Sequence, residues 1–176
     1  MSFIVASVAV ALGVALLSGG TLRSVLETRL RAPWALFGAL AVQVALDLFW
    51  RRGSSDLGHA LLVGSYVALV CFCLANLRLR GMAVVAIGIA SNALVIAVNE
   101  GMPVRTPPGT IRETVKHHAE RPSDDLTALS DIIVVDHLNQ ALSFGDLIMV
   151  VGLADLLFHR SRANTRRAAA PGALVS

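Results

Sequence analysis

The chain has 176 residues, enough for one domain, with 55% apolar residues, 15% charged residues and a formal charge of +3. A soluble domain carries ~25% charged residues, and one of this size could not cover its surface with so few; the mean hydropathy of +0.68 points the same way. The basic balance does not signal nucleic acid, because it is nearly all arginine, with Lys116 the only lysine, and the arginines stand at the ends of apolar runs, where membrane topology needs them.

Crossing a bilayer takes ~17–25 mostly apolar residues. Five stretches qualify, at about residues 3–22, 33–50, 57–77, 81–98 and 141–158. The N-terminus lacks the basic region of a secretory signal, so the first run reads as a retained span. Pro33 opens the second at the first helical position, where its missing N–H costs nothing. Trp34 and Trp50 bracket that span, roughly 24 Å apart at helical rise, as tryptophans at two interfaces would be. Cys71 and Cys73 in the third do not share a helix face, so neither a disulfide nor a metal site is expected from them. Asp146 and Asp155 interrupt the fifth.

Arginine placement sets the orientation. Arg23, Arg29, Arg31, Arg78, Arg80, Arg160, Arg162, Arg166 and Arg167 fall on one side of a five-span chain, and only Arg51 and Arg52 dissent among the short connections. The positive-inside rule then puts the N-terminus outside and the C-terminus in the cytoplasm. Arg29-Leu30-Arg31 and Arg78-Leu79-Arg80 each precede a span, and Gln43 and Asn92 follow them at equal spacing. That repetition suggests two parallel helical hairpins, as in some transporters; chance similarity between apolar helices is the alternative.

The loop 99–140 is too long for a passive connection. Its prolines and Gly109 predict an extended start, residues 110–120 read as a short helix ended by Pro122, and residues 126–138 read as a strand or a membrane-lying stretch around Ile132-Ile133-Val134-Val135. An outer loop folded over helix ends is a natural place for a site. The transmembrane domain is expected over 1–160, followed by a disordered basic cytoplasmic tail over 161–176, whose arginines would meet anionic headgroups.

Asn99-Glu100-Gly101-Met102-Pro103-Val104, Leu129-Ser130-Asp131 and Leu142-Ser143-Phe144-Gly145-Asp146 together resemble the motifs of a family of small, mainly actinobacterial multi-pass membrane proteins of unknown function. The resemblance implies a topology and three motifs, N-x-G-M-P-V and S-x-G-D among them, and no mechanism. This chain departs from that pattern at Ser130, where the family has glycine, and in lacking a proline soon after Asp131.

Asp146 is the leading site residue, since an ionised carboxylate in hydrocarbon costs several kcal/mol unless paired or wet. It would contact a proton, cation or polar ligand, or else complete a helix N-terminus with Ser143 as cap. Asn99, Pro103 and Asp131 join it as ligand or pathway residues. Gln43, Asn92 and Asn76 read as interhelical hydrogen-bonding residues, Asp47 with Arg51 as an interfacial ion pair, and Asp155 with His159 as an interfacial pair or a proton relay. His117, His118 and His137 share the loop with Asp124, Asp125, Asp131 and Asp136, all metal-capable types, but adjacent histidines cannot ligate one metal from a helix and no HExxH spacing occurs. No cofactor is expected.

The fold expected is therefore an all-α polytopic membrane bundle of about five helices with an outer loop between the fourth and fifth. The leading function is a non-enzymatic small subunit, or a binder of a lipid or small molecule, with the bilayer and another membrane protein as partners and no nucleic acid. A solute or proton transporter using Gln43, Asn92 and Asp146, and a membrane enzyme with a loop metal site, are the alternatives. Water access to the polar residues separates the first from the second.

Overall fold

The structure, a computed structural model, describes residues 2–49, 56–105, 115–131, 133–135 and 140–162. It is mostly helical: α1 (Ser2–Leu17), α2 (Leu22–Leu26), α3 (Pro33–Phe49), α4 (Asp56–Ala75), α5 (Met82–Asn99) and α6 (Phe144–Ser161). Two of these, α4 and α5, are long and apolar enough to cross a membrane, while α3 and the described part of α1 are shorter apolar helices. Four three-residue strands lie in the long loop: β1 (Met102–Val104), β2 (His117–Ala119), β3 (Ile133–Val135) and β4 (Gln140–Leu142).

The first apolar run breaks earlier than its composition predicts. Gly19 has a φ of +89°, and a Cβ on Gly20 would run into Ser161 and the Ala15 carbonyl. The chain therefore turns at Ser18, and Thr21 donates its N–H to the Ser161 carbonyl at 2.7 Å. Thr21 then caps α2 through Ser24. The last helix starts later than expected, at Phe144, because Gln140–Leu142 pairs with β3 and Ser143 with Asp146 forms a capping box.

The helices pack in the order α3, α4, α5, α6, α1, so that α1 lies along α6 and α3 along α4. This corrects the two-hairpin expectation: the first two apolar helices are not partners, and Gln43 and Asn92 serve different interfaces. The tightest seam is α5 on α6. Gly81 faces Gly152 and Gly88 faces Gly145, one heptad apart on each antiparallel helix, and a Cβ on Gly152 would sit 2.6 Å from the Val85 nitrogen. Close backbone approach of this kind gains dispersion energy from many atom pairs at contact distance. Gly38 and Gly64 face open space. Cys71 is exposed and Cys73 buried, as their spacing requires.

The core runs from Leu62, Tyr66 and Leu69 of α4 through Val85, Ile89 and Ile96 of α5 to Met102 and Val115 of the loop. The outer faces of the helices are apolar too: Val10, Phe37, Val67, Ile87 and Val151 are all exposed. One end of the bundle gathers the connections at residues 18–32, 76–81 and 158–162, tied by Arg78 to the Arg29 carbonyl, Arg80 to His159, Arg160 to Thr28 and Arg162 to the Ser18 carbonyl. The opposite end carries the start of α4, the exit of α5 and the folded loop. The pairing of Asp47 with Arg51 and the position of Trp50 lie outside the described residues; Trp34 is exposed at the arginine-rich end.

Candidate functional site

At the loop end, the exit of α5 and the entry of α6 are joined by buried polar groups. Ser143 Oγ accepts from the Asp146 N–H at 3.0 Å, and Asp146 Oδ2 accepts from the Ser143 N–H at 3.2 Å. This reciprocal cap satisfies two helix-end donors and contributes about 1 kcal/mol. Asn92, one helix away, completes it: its Nδ2 donates to Asp146 Oδ1 at 2.9 Å, and its Oδ1 accepts from Ser143 Oγ at 2.9 Å. Gly145 makes room, since a Cβ there would strike the Asn92 carboxamide. Three of the residues singled out by sequence, Asn92, Ser143 and Asp146, thus meet in one closed ring.

The loop is fixed above this ring. Asn99, the last residue of α5, bonds the loop at two points: its Nδ2 donates to the Asp125 carbonyl at 2.8 Å, and its Oδ1 accepts from the Asp125 N–H at 2.7 Å. Glu100 has a φ of +54° and Gly101 a φ of +148°, so the chain leaves the helix through left-handed geometry that favours glycine. It passes so close to His118 that a side chain on Gly101 would crowd the ring. β1 follows, fully buried, and pairs in parallel with β2 in the register Met102 to His117 and Val104 to Ala119. On its other edge Asp131 bridges Val104, donating its N–H to the Pro103 carbonyl and accepting from the Arg105 N–H, both at 3.1 Å. Pro103 tolerates this place because it accepts here and lacks only a donor.

The pairing with β1 explains why His117–Ala119 is a strand and not the helix expected for that stretch; residues 106–114 lie outside the described residues. Of the two readings of residues 126–138, a strand or a membrane-lying stretch, Ile133–Val135 forms a strand, β3, paired antiparallel with β4.

Asp131 is 5% exposed. Burial, with the negative charge of Asp146 adding to it, pushes its carboxyl up to about 7. Its Oδ2 lies 3.4 Å from His117 Nε2. Burial and the charge of Lys116 hold the His117 imidazole below its usual range; the side chain keeps 38% exposure, which moderates that shift. The buried Tyr66 of α4 lies within electrostatic reach of both carboxylates. His118 donates from Nε2 to the Asp124 carboxylate at 3.2 Å, and that carboxylate also accepts the Arg121 N–H. Arg105 pairs with Glu120 through two nitrogens, and that pairing holds the Glu120 carboxyl below its ordinary pKa.

Among the described residues no three metal-binding side chains converge; His137 lies outside them. Ser143 donates its proton to a carboxamide, which cannot take it up, so no activated nucleophile is present there. Gln43 stands apart from the ring: its Nε2 donates to Ser65 Oγ at 3.1 Å. Beside it, Gln43, Leu46, Asp47, Leu62, Val115 and Lys116 enclose a cavity of ≈ 10 Å³, about one water. Asn76, fully buried, bonds the Arg31 backbone at both N–H and carbonyl. His159 donates from Nδ1 to Asp155 and accepts at Nε2 from Arg80.

Sequence reading missed Tyr66 as a member of this region; Asp124 and Asp125 stood out only as metal-capable loop residues, and Gly145 only by its place in the Ser143-Phe144-Gly145-Asp146 motif.

Residues 27–158 match the model of a family described as "Family of unknown function (DUF5317)", and the chain belongs to that family. No curated protein and no solved structure matches it.

Proposed function

We propose that this member of a family of unknown function is a five-span, non-enzymatic membrane subunit whose outer loop is a rigid platform for another membrane protein. Five crossings rest on the packing of α1 along α6 and α3 along α4. The long helices measure ~24–30 Å at 1.5 Å per residue, close to the ~30 Å hydrocarbon layer. Each long helix exposes large apolar side chains, which suits lipid and not water. The arginine-rich end would then be cytoplasmic, the N-terminus outside, the loop extracytoplasmic and the residues after α6 cytoplasmic.

The observation that carries the subunit reading is the closed ring of Ser143, Asn92 and Asp146. A transporter needs such groups to face a wet central passage. Here Asn92 and Asp146 bond each other, and the cavity beside Gln43 has room for about one water. Polar groups satisfied in this way hold the loop on the helices and leave its outer surface, including Pro122, Ser123 and Asp125, exposed for a partner.

The test is native mass spectrometry of the tagged protein, gently extracted from its own membrane, with metal analysis of the same sample. The subunit reading predicts a second membrane protein in stoichiometric amount. A bare monomer or dimer contradicts it, and a metal in near-equal amount would instead favour an enzyme.

A further inference from the structure

The two Arg-Leu-Arg segments, 49 residues apart in sequence, are brought side by side at the end opposite the loop. Asn76 does this. It is fully buried, and its carboxamide accepts the Arg31 N–H at 2.7 Å and donates to the Arg31 carbonyl at 2.9 Å. It also donates to the Phe72 carbonyl of its own helix. Arg78 Nη2 donates to the Arg29 carbonyl at 2.7 Å. Arg29, Arg31, Arg78 and Arg80 are all exposed.

Membrane topology asks for arginines at this end. It does not ask that two segments of like charge be pinned together, where their guanidinium groups repel. Of the described carboxylates nearby, Glu27 pairs with Arg23 at 2.6 Å and Asp155 with His159. Arg80 Nη1 also reaches His159 Nε2 at 2.8 Å, and the open side of the cluster is apolar. Leu30, Trp34 and Leu77 are exposed beside it, and tryptophan favours the level of lipid headgroups. Arginine matches phosphate oxygens through paired N–H groups.

We propose that Arg29, Arg31, Arg78 and Arg80 form a preorganised site for the phosphate of an acidic phospholipid, held open by Asn76. The occupant is a membrane lipid and not a free anion, because the exposed leucines and Trp34 give its acyl chains an apolar wall. The inference rests on the membrane reading above and is independent of the partner at the loop.

Purified protein in neutral detergent is titrated with phosphatidylglycerol, phosphatidylcholine or inorganic phosphate, and bound lipid is read by native mass spectrometry. Phosphatidylglycerol should bind and phosphatidylcholine should not. Arg29→Gln and Arg78→Gln should each weaken binding about fivefold, whereas Arg23→Gln, whose partner is Glu27, should leave it unchanged. Equal uptake of the two lipids, equal loss in all three variants, or displacement of the lipid by excess inorganic phosphate would overturn the site. Recovery of the protein in the soluble fraction without detergent would overturn the membrane reading instead, so the two failures are distinct.

Discussion

Glycines and one buried acid decide most at the scale of single residues. A Cβ on Gly145 would strike the Asn92 carboxamide and lie 2.6 Å from the Gly88 carbonyl. Neither the carboxamide, held by two bonds, nor the backbone has room to retreat. Gly145→Ala should therefore destabilise the protein by about 1–3 kcal/mol, the usual cost of overpacking, read as a lower melting temperature in detergent. Gly38→Ala and Gly64→Ala, where nothing lies within 4 Å, should leave it unchanged or raise it slightly through helix propensity. Asp131 gives the pH dependence. Its folded-state value is raised, to about 7 from 3.8, so the fold prefers the protonated acid. The stability it lends is full below about pH 4 and is lost as pH rises through about 7. Melting temperature should fall across that window, by the equivalent of a few kcal/mol at most, and Asp131→Asn should flatten the profile. An unchanged profile in that variant would show that another group titrates.

Among the elements, the loop stands or falls with its attachments. Asn99 supplies two bonds to Asp125 and one to its own helix, and β1 hangs between β2 and Asp131. Truncating Asn99 to alanine leaves the Asp125 N–H and carbonyl without their partner, at ~1–3 kcal/mol. Protease cleavage within residues 115–131 should accelerate while α4 and α5 stay protected; equal acceleration throughout would mean that Asn99 supports the whole bundle. The apolar runs of α3, α4 and α5 were legible because composition alone marks them. The strands were less so, because three-residue segments in a polar loop carry no readable period and exist only through their pairing, β1 with β2 and β3 with β4. Ser143-x-x-Asp146 could be read as a cap, yet its tie to Asn92, 51 residues back, could not, since nothing local encodes it. The Arg-Leu-Arg repetition was visible as a pattern, but its meaning as two segments clasped by Asn76 needed coordinates.

For the whole molecule, the claim is a bundle with two unlike ends. Arginines gather at one, and a folded loop sits on the other over the Ser143–Asn92–Asp146 ring. Helix packing ties the ends into one slab whose sides are apolar. The most direct test is cysteine labelling in intact cells with a membrane-impermeant maleimide, in a background with Cys71 and Cys73 changed to alanine. Ser123 is exposed in the loop and Arg23 at the arginine-rich end. Ser123→Cys should label from outside, and Arg23→Cys only after permeabilisation. Labelling of both from one side, or of Arg23→Cys alone in intact cells, would contradict the account.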